Sequence, residues 1–171
     1  MVAQQAGTGD SVVRAAALVA APWVNGGGVT RVIADGPLFR LSLATIAGEG
    51  PFSLLPGVLR HFALVTGRVD LVGTAPCFPA MLDAISAPIT FSGDVAVHAT
   101  PRSGPALALN LMVPPGTPPL RLERSDGGVL PDARAVFACD AVSIDGLALA
   151  PHDTLFPTGA VRLVGRALVV R

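Results

Sequence analysis

The side chains in this sequence best suited to hold a small anion are Arg60, Asn25, Thr30, Ser42 and Ser53, and most lie in or beside two glycine-rich blocks. Arg60 carries a planar fork of N–H donors that can meet a carboxylate at two points. The amide and hydroxyl groups add neutral, directional hydrogen bonds. The first block, Ala21-Pro22-Trp23-Val24-Asn25-Gly26-Gly27-Gly28-Val29-Thr30-Arg31, sets the only tryptophan and an amide against three consecutive glycines. Glycine accepts positive φ and allows close backbone approach, at an entropic cost. A run of three therefore implies a sharp bend or a display of N–H groups. Gly26, Gly27 and Gly28 form either an anion-binding nest of backbone amides or a tight loop that seats Trp23. The second block, Gly50-Pro51-Phe52-Ser53-Leu54-Leu55-Pro56-Gly57, runs into Val58-Leu59-Arg60-His61 and adds His61 as a further pocket candidate.

Other chemistries find less support. A catalytic metal needs clustered His, Cys or carboxylate ligands. The segment from Gly57 to Gly67 has one His and no carboxylate, and His98 and His152 stand alone. Ser53 is not in a nucleophile-elbow pattern. No Lys-Ser/Thr pair follows the glycines, so they are not a phosphate loop. Cys77 and Cys139 are far apart and in no metal-ligand or redox spacing; both read as small buried hydrophobes. Neither a metal nor any other cofactor is expected.

Composition sets the class of partner. The chain has 171 residues, 51% of them hydrophobic and only 14% charged, which fits a folded chain with a sizeable core. Its 12 basic residues are all arginines, scattered singly and balanced by 12 acids. Nucleic-acid binding calls for a basic face with stacking aromatics, and this chain has neither that face nor any tyrosine. Low charge and zero net charge favour self-association, so a homodimer is expected. The stretch around Arg14 and Ala15–Ala21 resembles a secretory signal only loosely, because its arginine arrives late. Val12 to Ala20 reads instead as a first strand. No apolar run reaches the length of a membrane span, and the expected location is the cytoplasm.

The elements that would position these residues are short strands. Runs of Val, Leu, Ala and Phe are broken throughout by Gly (19) and Pro (16), the pattern of an all-β sandwich or barrel. Phe39–Ile46 alternates polar and apolar residues as a half-buried strand does. His61–Thr66 and Val69–Val72 flank Gly67-Arg68 at hairpin spacing. Asp145-Gly146 and Gly165-Arg166 read as tight turns between adjacent runs. Only Pro79–Ile85 suggests a helical turn or two. Pro114-Pro115-Gly116-Thr117-Pro118-Pro119 divides the chain into approximate halves, 12–113 and 120–171, joined by a proline-stiffened connection.

Several blocks in the same order resemble the HutD/Ves family. Pro22-Trp23-Val24-Asn25-Gly26-Gly27-Gly28 is similar to that family's Pro-Trp-Lys-Asn-Gly-Gly-Gly opening. Phe39–Ala44, followed by Gly50-Pro51-Phe52-Ser53, Pro56-Gly57 and Arg60, resembles its second block. Pro88–Asp94 resembles the third, and Gly104-Pro105 with Leu109-Asn110-Leu111-Met112 the fourth. The resemblance implies a cupin-like β-barrel fold, with two barrels in one chain. It also implies a non-catalytic, regulatory role tied in the HutD branch to histidine utilisation, with a small, formylglutamate-like carboxylate as ligand. The chain departs from the pattern at Val24, Val32, Phe39 and Ala108, where the family carries Lys, an acid, Trp and Asp. Two other readings remain open: a cupin-type enzyme working without a metal, and a member that has lost its pocket and serves a structural or partner-contact role.

Overall fold

The structure is a computed structural model that describes residues 9–76 and 78–171; Cys77 lies outside them. The described residues are organised almost wholly as strands, because β-branched and aromatic runs between Gly and Pro breakers favour the pleated conformation. β1 (Ser11–Val13) is followed by a single 3-10 turn at Ala15–Ala17. β2 (Ala20–Pro22), β3 (Gly28–Asp35), β4 (Arg40–Ile46), β5 (Gly50–Pro51), β6 (Leu59–Gly73), β7 (Ala80–Asp83), β8 (Ile89–Ser92) and β9 (Val97–Val113) come next. β10 (Leu122–Leu130), β11 (Ala135–Ala138), β12 (Val142–Ile144), β13 (Leu147–Leu149), β14 (Thr154–Phe156) and β15 (Val161–Val170) complete the chain. Among the described residues no helix is long and apolar enough to cross a membrane.

The chain forms two compact units. One is Val19–Pro119; the other is Leu120–Arg171 together with the described residues up to Leu18. The division falls at the proline-rich connection, where Thr117 Oγ1 donates to the Pro114 carbonyl at 2.7 Å. The first unit is an eight-stranded antiparallel sheet in the order β2-β3-β4-β9-β6-β7, with β5 on β9 and β8 on β6. Its core includes Ile46, Phe62, Leu64, Val69, Leu71 and Ala108, with Trp23 and Phe52 packed against it. The second unit is a seven-stranded sheet, β1-β14-β11-β15-β12-β13 with β10 on β15, around a core that includes Leu130, Val136, Ile144, Leu155 and Leu163.

Four sequence-based expectations change. The strand expected over Val12–Ala20 is broken, and its first part belongs to the second unit. There the buried Asp153 carboxylate accepts from Arg14 Nη1 at 2.7 Å and from the Ala15 N–H at 2.8 Å, which bends the chain, while β1 pairs with β14. Gly67-Arg68 is not a hairpin but lies inside the 15-residue β6. Gly67 sits at φ +83°, where an added Cβ would stand 2.8 Å from Ala106 Cβ. The register against β9 shifts on either side of Thr66. A glycine pair can mark a bulge as well as a reversal, and here Gly67 faces the Ser103-Gly104 bend of β9, where both φ angles are positive. Gly165-Arg166 likewise lies within β15, with Gly165 at φ +112°. Pro79–Ile85 contributes a strand rather than a helical turn, because Ala80–Asp83 pairs with β6. Asp145-Gly146 does form the expected tight turn between β12 and β13, with both residues at positive φ.

Candidate functional site

Four neighbouring strands of the first unit build one concave surface. The register sets Thr30 on β3 opposite Ala44 on β4, and Ser42 on β4 opposite Asn110 on β9. Asn110 in turn opposes Phe62 on β6, and Met112 opposes both Arg40 and Arg60. Opposed residues in an antiparallel sheet share a face, and alternate residues of a strand return to it. Thr30, Ser42, Asn110, Arg60 and Phe62 therefore converge from sequence positions 80 apart at their extremes. Above them runs the segment from Gly50 to Leu55, held down by β5 pairing with β9, by the Phe52 N–H to the Val97 carbonyl at 2.8 Å, and by the Leu55 N–H to the Gly93 carbonyl at 2.8 Å.

This surface encloses a cavity of about 500 Å³. Trp23, Asn25, Thr30, Ser42, Ser53, Arg60 and Asn110 line it with Ile46, Phe52, Phe62 and other apolar residues. A second lobe of about 410 Å³ shares Thr30, Ser42, Ser53, Leu55 and Met112, and adds Asp35 and Arg40. The five polar side chains singled out from the sequence thus border one cavity.

Arg60 is its electrostatic centre. The residue is 6% exposed, yet no carboxylate of the described residues lies within ion-pair distance of it; the ion pairs there involve other arginines. Nη1 donates to the Ser53 carbonyl at 3.3 Å and Nη2 to Asn110 Oδ1 at 3.1 Å, while Nε is buried without a partner. The guanidinium carbon lies 5.0 Å from the Phe52 ring centre and 5.2 Å from that of Phe91, close enough for the ring faces to attract the cation. Burial lowers the guanidinium pKa from its usual value to about 10, so the group is still charged at neutral pH. Two of its five N–H donors meet neutral protein acceptors, and the charge has no counter-ion among the described residues.

The neutral groups around it are oriented by the fold. Arginine only donates, so Asn110 must turn Oδ1 toward it, which leaves the Asn110 amide nitrogen as an unused donor at the cavity. Trp23 Nε1 donates to Thr30 Oγ1 at 2.8 Å; with that lone pair occupied, the Thr30 hydroxyl hydrogen is available to a ligand. Ser42 is buried on the same face and lines the cavity. Ser53 takes part mainly through its backbone carbonyl.

Two groups of expected site residues are corrected. The glycines are not an anion nest. The Gly26 N–H donates to the Trp23 carbonyl at 3.0 Å and the Gly27 N–H to Asn25 Oδ1 at 3.0 Å, so both are used within the turn. Gly28 is glycine because an added Cβ would overlap the Thr45 carbonyl oxygen and press on Trp23. The run is the tight loop that seats Trp23. Asn25 shapes that loop and stands at the rim, its Nδ2 3.4 Å from the Pro51 carbonyl. His61 lies on the opposite face of β6 from Arg60, with Nδ1 2.8 Å from Thr90 Oγ1, because consecutive strand residues point to opposite sides. Asn110, Phe52 and Phe62 were missed as site residues. Two signals mark Asn110 in the sequence, an amide inside the apolar run Ala106–Val113 and its place in the fourth block of the family resemblance.

Among the described residues, no group of three or more His, Cys, Asp or Glu side chains converges to hold a metal ion. Cys139 is a free thiol that is partly exposed rather than fully buried.

Comparison with known proteins gives four consistent findings. The family model described as HutD matches residues 15–158. Protein Ves from Citrobacter koseri is 39% identical over 97 residues, a stretch that spans 53% of this chain and only 50% of that protein. The structure of HutD from Pseudomonas fluorescens SBW25 (formate condition) superposes with a TM-score of 0.83 at 30% identity, covering 95% of this chain and 97% of that one. A conserved protein of unknown function from Pseudomonas aeruginosa PAO1 superposes with a TM-score of 0.77, also at 30% identity, covering 94% and 96%.

Proposed function

The chain belongs to the HutD family, whose fold is cupin-like, and from that premise we propose that its first unit binds a small carboxylate without transforming it. The observation that carries this reading is Arg60: a buried cation at a cavity wall, with donors to spare and no acidic partner among the described residues. Removing a charge from water is unfavourable unless a counter-charge and hydrogen bonds replace the lost hydration. A bound carboxylate supplies both, accepting from the guanidinium and from the Asn110 amide, with Thr30 and Ser42 serving its remaining lone pairs. A charge-assisted contact of this kind contributes about 1.5–3 kcal/mol.

The role we propose for the loaded protein is regulatory, in histidine utilisation, and the family resemblance alone supports it. We also propose a homodimer, supported by exposed apolar residues in the first unit such as Val72 and Met81 and by the low charge. Sedimentation at micromolar concentration tests the dimer, and a monomer alone would refute it. The carboxylate reading is tested by calorimetry with acetate against its neutral isostere acetamide, on the natural protein and on Arg60→Met. Acetate is expected to bind and acetamide not, with binding abolished in Arg60→Met. Equal affinity for acid and amide would overturn the reading.

A further inference from the structure

We infer, resting on the carboxylate reading above, that the site takes a monocarboxylate carrying an apolar body of aromatic or branched-chain size, rather than a dicarboxylate or a one-carbon acid. Charge comes first. Among the described residues Arg60 is the only charged one lining the main cavity, so one negative charge is matched there and a second would be buried without a partner. The other cation nearby, Arg40 in the second lobe, pairs with Asp35 at 3.1 Å and is partly exposed. That lobe therefore carries no net positive pole for a second carboxylate.

Size and wall chemistry agree. A formate ion would leave a 500 Å³ cavity with room for on the order of ten waters. Most of those waters would lie beyond reach of the few polar groups, against Trp23, Phe52 and Ile46, whose surfaces offer them no free hydrogen bonds. The aromatic wall also begins at the cation. Phe52 stacks beside the guanidinium, Phe62 lies 5.5 Å from Phe52 centre to centre, and Trp23 meets Phe52 edge-on at 6.4 Å. A carboxylate seated on Arg60 thus has its own substituent directed along apolar surface. The single tryptophan in that wall is a natural reporter of occupancy.

The test is a titration of the natural protein, by calorimetry and Trp23 fluorescence, with straight-chain acids from formate to hexanoate, with 3-phenylpropionate, and with glutarate against pentanoate. Each buried methylene is expected to tighten binding about fourfold. 3-Phenylpropionate is expected to bind at least about a hundredfold more tightly than acetate on the same area argument, and glutarate more weakly than pentanoate of the same chain length. An affinity independent of chain length, or glutarate binding tighter than pentanoate, would overturn the inference and leave the carboxylate reading intact. No binding by any acid would overturn both. Because the series is measured on the unmodified chain, the result does not depend on a variant folding.

Discussion

Arg60 Nη2 donates to Asn110 Oδ1 at 3.1 Å, linking buried residues 50 positions apart on neighbouring strands. The two are diagonal neighbours, since Asn110 opposes Phe62 and Met112 opposes Arg60, and a long side chain spans that separation. The bond anchors the guanidinium and, because arginine only donates, fixes the Asn110 amide with Oδ1 toward it. The partner is neutral, where a carboxylate would cancel the charge, and the functional reading depends on that difference.

Arg60→Met should abolish carboxylate binding while leaving stability unchanged or raised by up to about 1 kcal/mol, since an uncompensated buried cation is replaced by an apolar side chain of similar length. Urea denaturation alongside the calorimetry would show it. A loss of several kcal/mol would mean that Arg60 is structural.

Carboxylate affinity should be level from about pH 6 to about pH 9, with the ligand ionised well above its usual pKa of about 4–5. It should fall as pH passes through about 10, where the buried Arg60 loses its charge. The direction follows from burial disfavouring the cation. A decline centred near pH 6.5 would instead implicate a histidine.

Thr30→Val removes the acceptor of the Trp23 indole N–H and should lower stability by about 1 kcal/mol. It should also alter the emission of the single tryptophan and weaken carboxylate binding. Unchanged emission would show that the 2.8 Å bond does not persist in solution.

Gly28→Ala should destabilise the first unit by about 2–4 kcal/mol, because its methyl group would overlap the Thr45 carbonyl. Gly26→Ala meets open space and only suffers a positive φ of +71°, so its effect should stay near 1–2 kcal/mol. Denaturation midpoints of the two variants should therefore separate clearly, Gly28→Ala being the lower.

Asp153→Ala should cost about 2–3 kcal/mol by leaving the Ala15 and Ala150 N–H groups without their acceptor. Burial disfavours the Asp153 anion, but the Ala15 N–H, the Arg14 guanidinium and the Ala150 N–H outweigh it and hold the carboxyl below its usual range. The folded value is depressed, so this stability is complete above the unfolded value of about 3.9 and is lost as pH falls through the folded one. Acid titration of unfolding should show natural-protein stability dropping below about pH 4, with a smaller drop in the alanine variant.

The sequence by itself determined the strand class, and it named polar residues that the fold brings to one cavity. Alternation along Phe39–Ile46 and the density of Gly and Pro are local signals that survive in any strand packing. Block order in a single chain was enough to reveal the family. What only the tertiary structure decided was partnership. Gly67-Arg68 and Gly165-Arg166 have the composition of turns, and the neighbouring strand alone makes them bulges. Gly26–Gly28 could display its amides or consume them, and the choice rests on Asn25 Oδ1 and the Trp23 carbonyl reaching them first. Arg60 and His61 are adjacent in sequence, yet the side-chain alternation of β6 sends one to the cavity and the other away from it. Asn110 became a site residue only because β9 lies between β4 and β6. Local periodicity encodes which residues share a face, but the register between distant strands decides which faces meet.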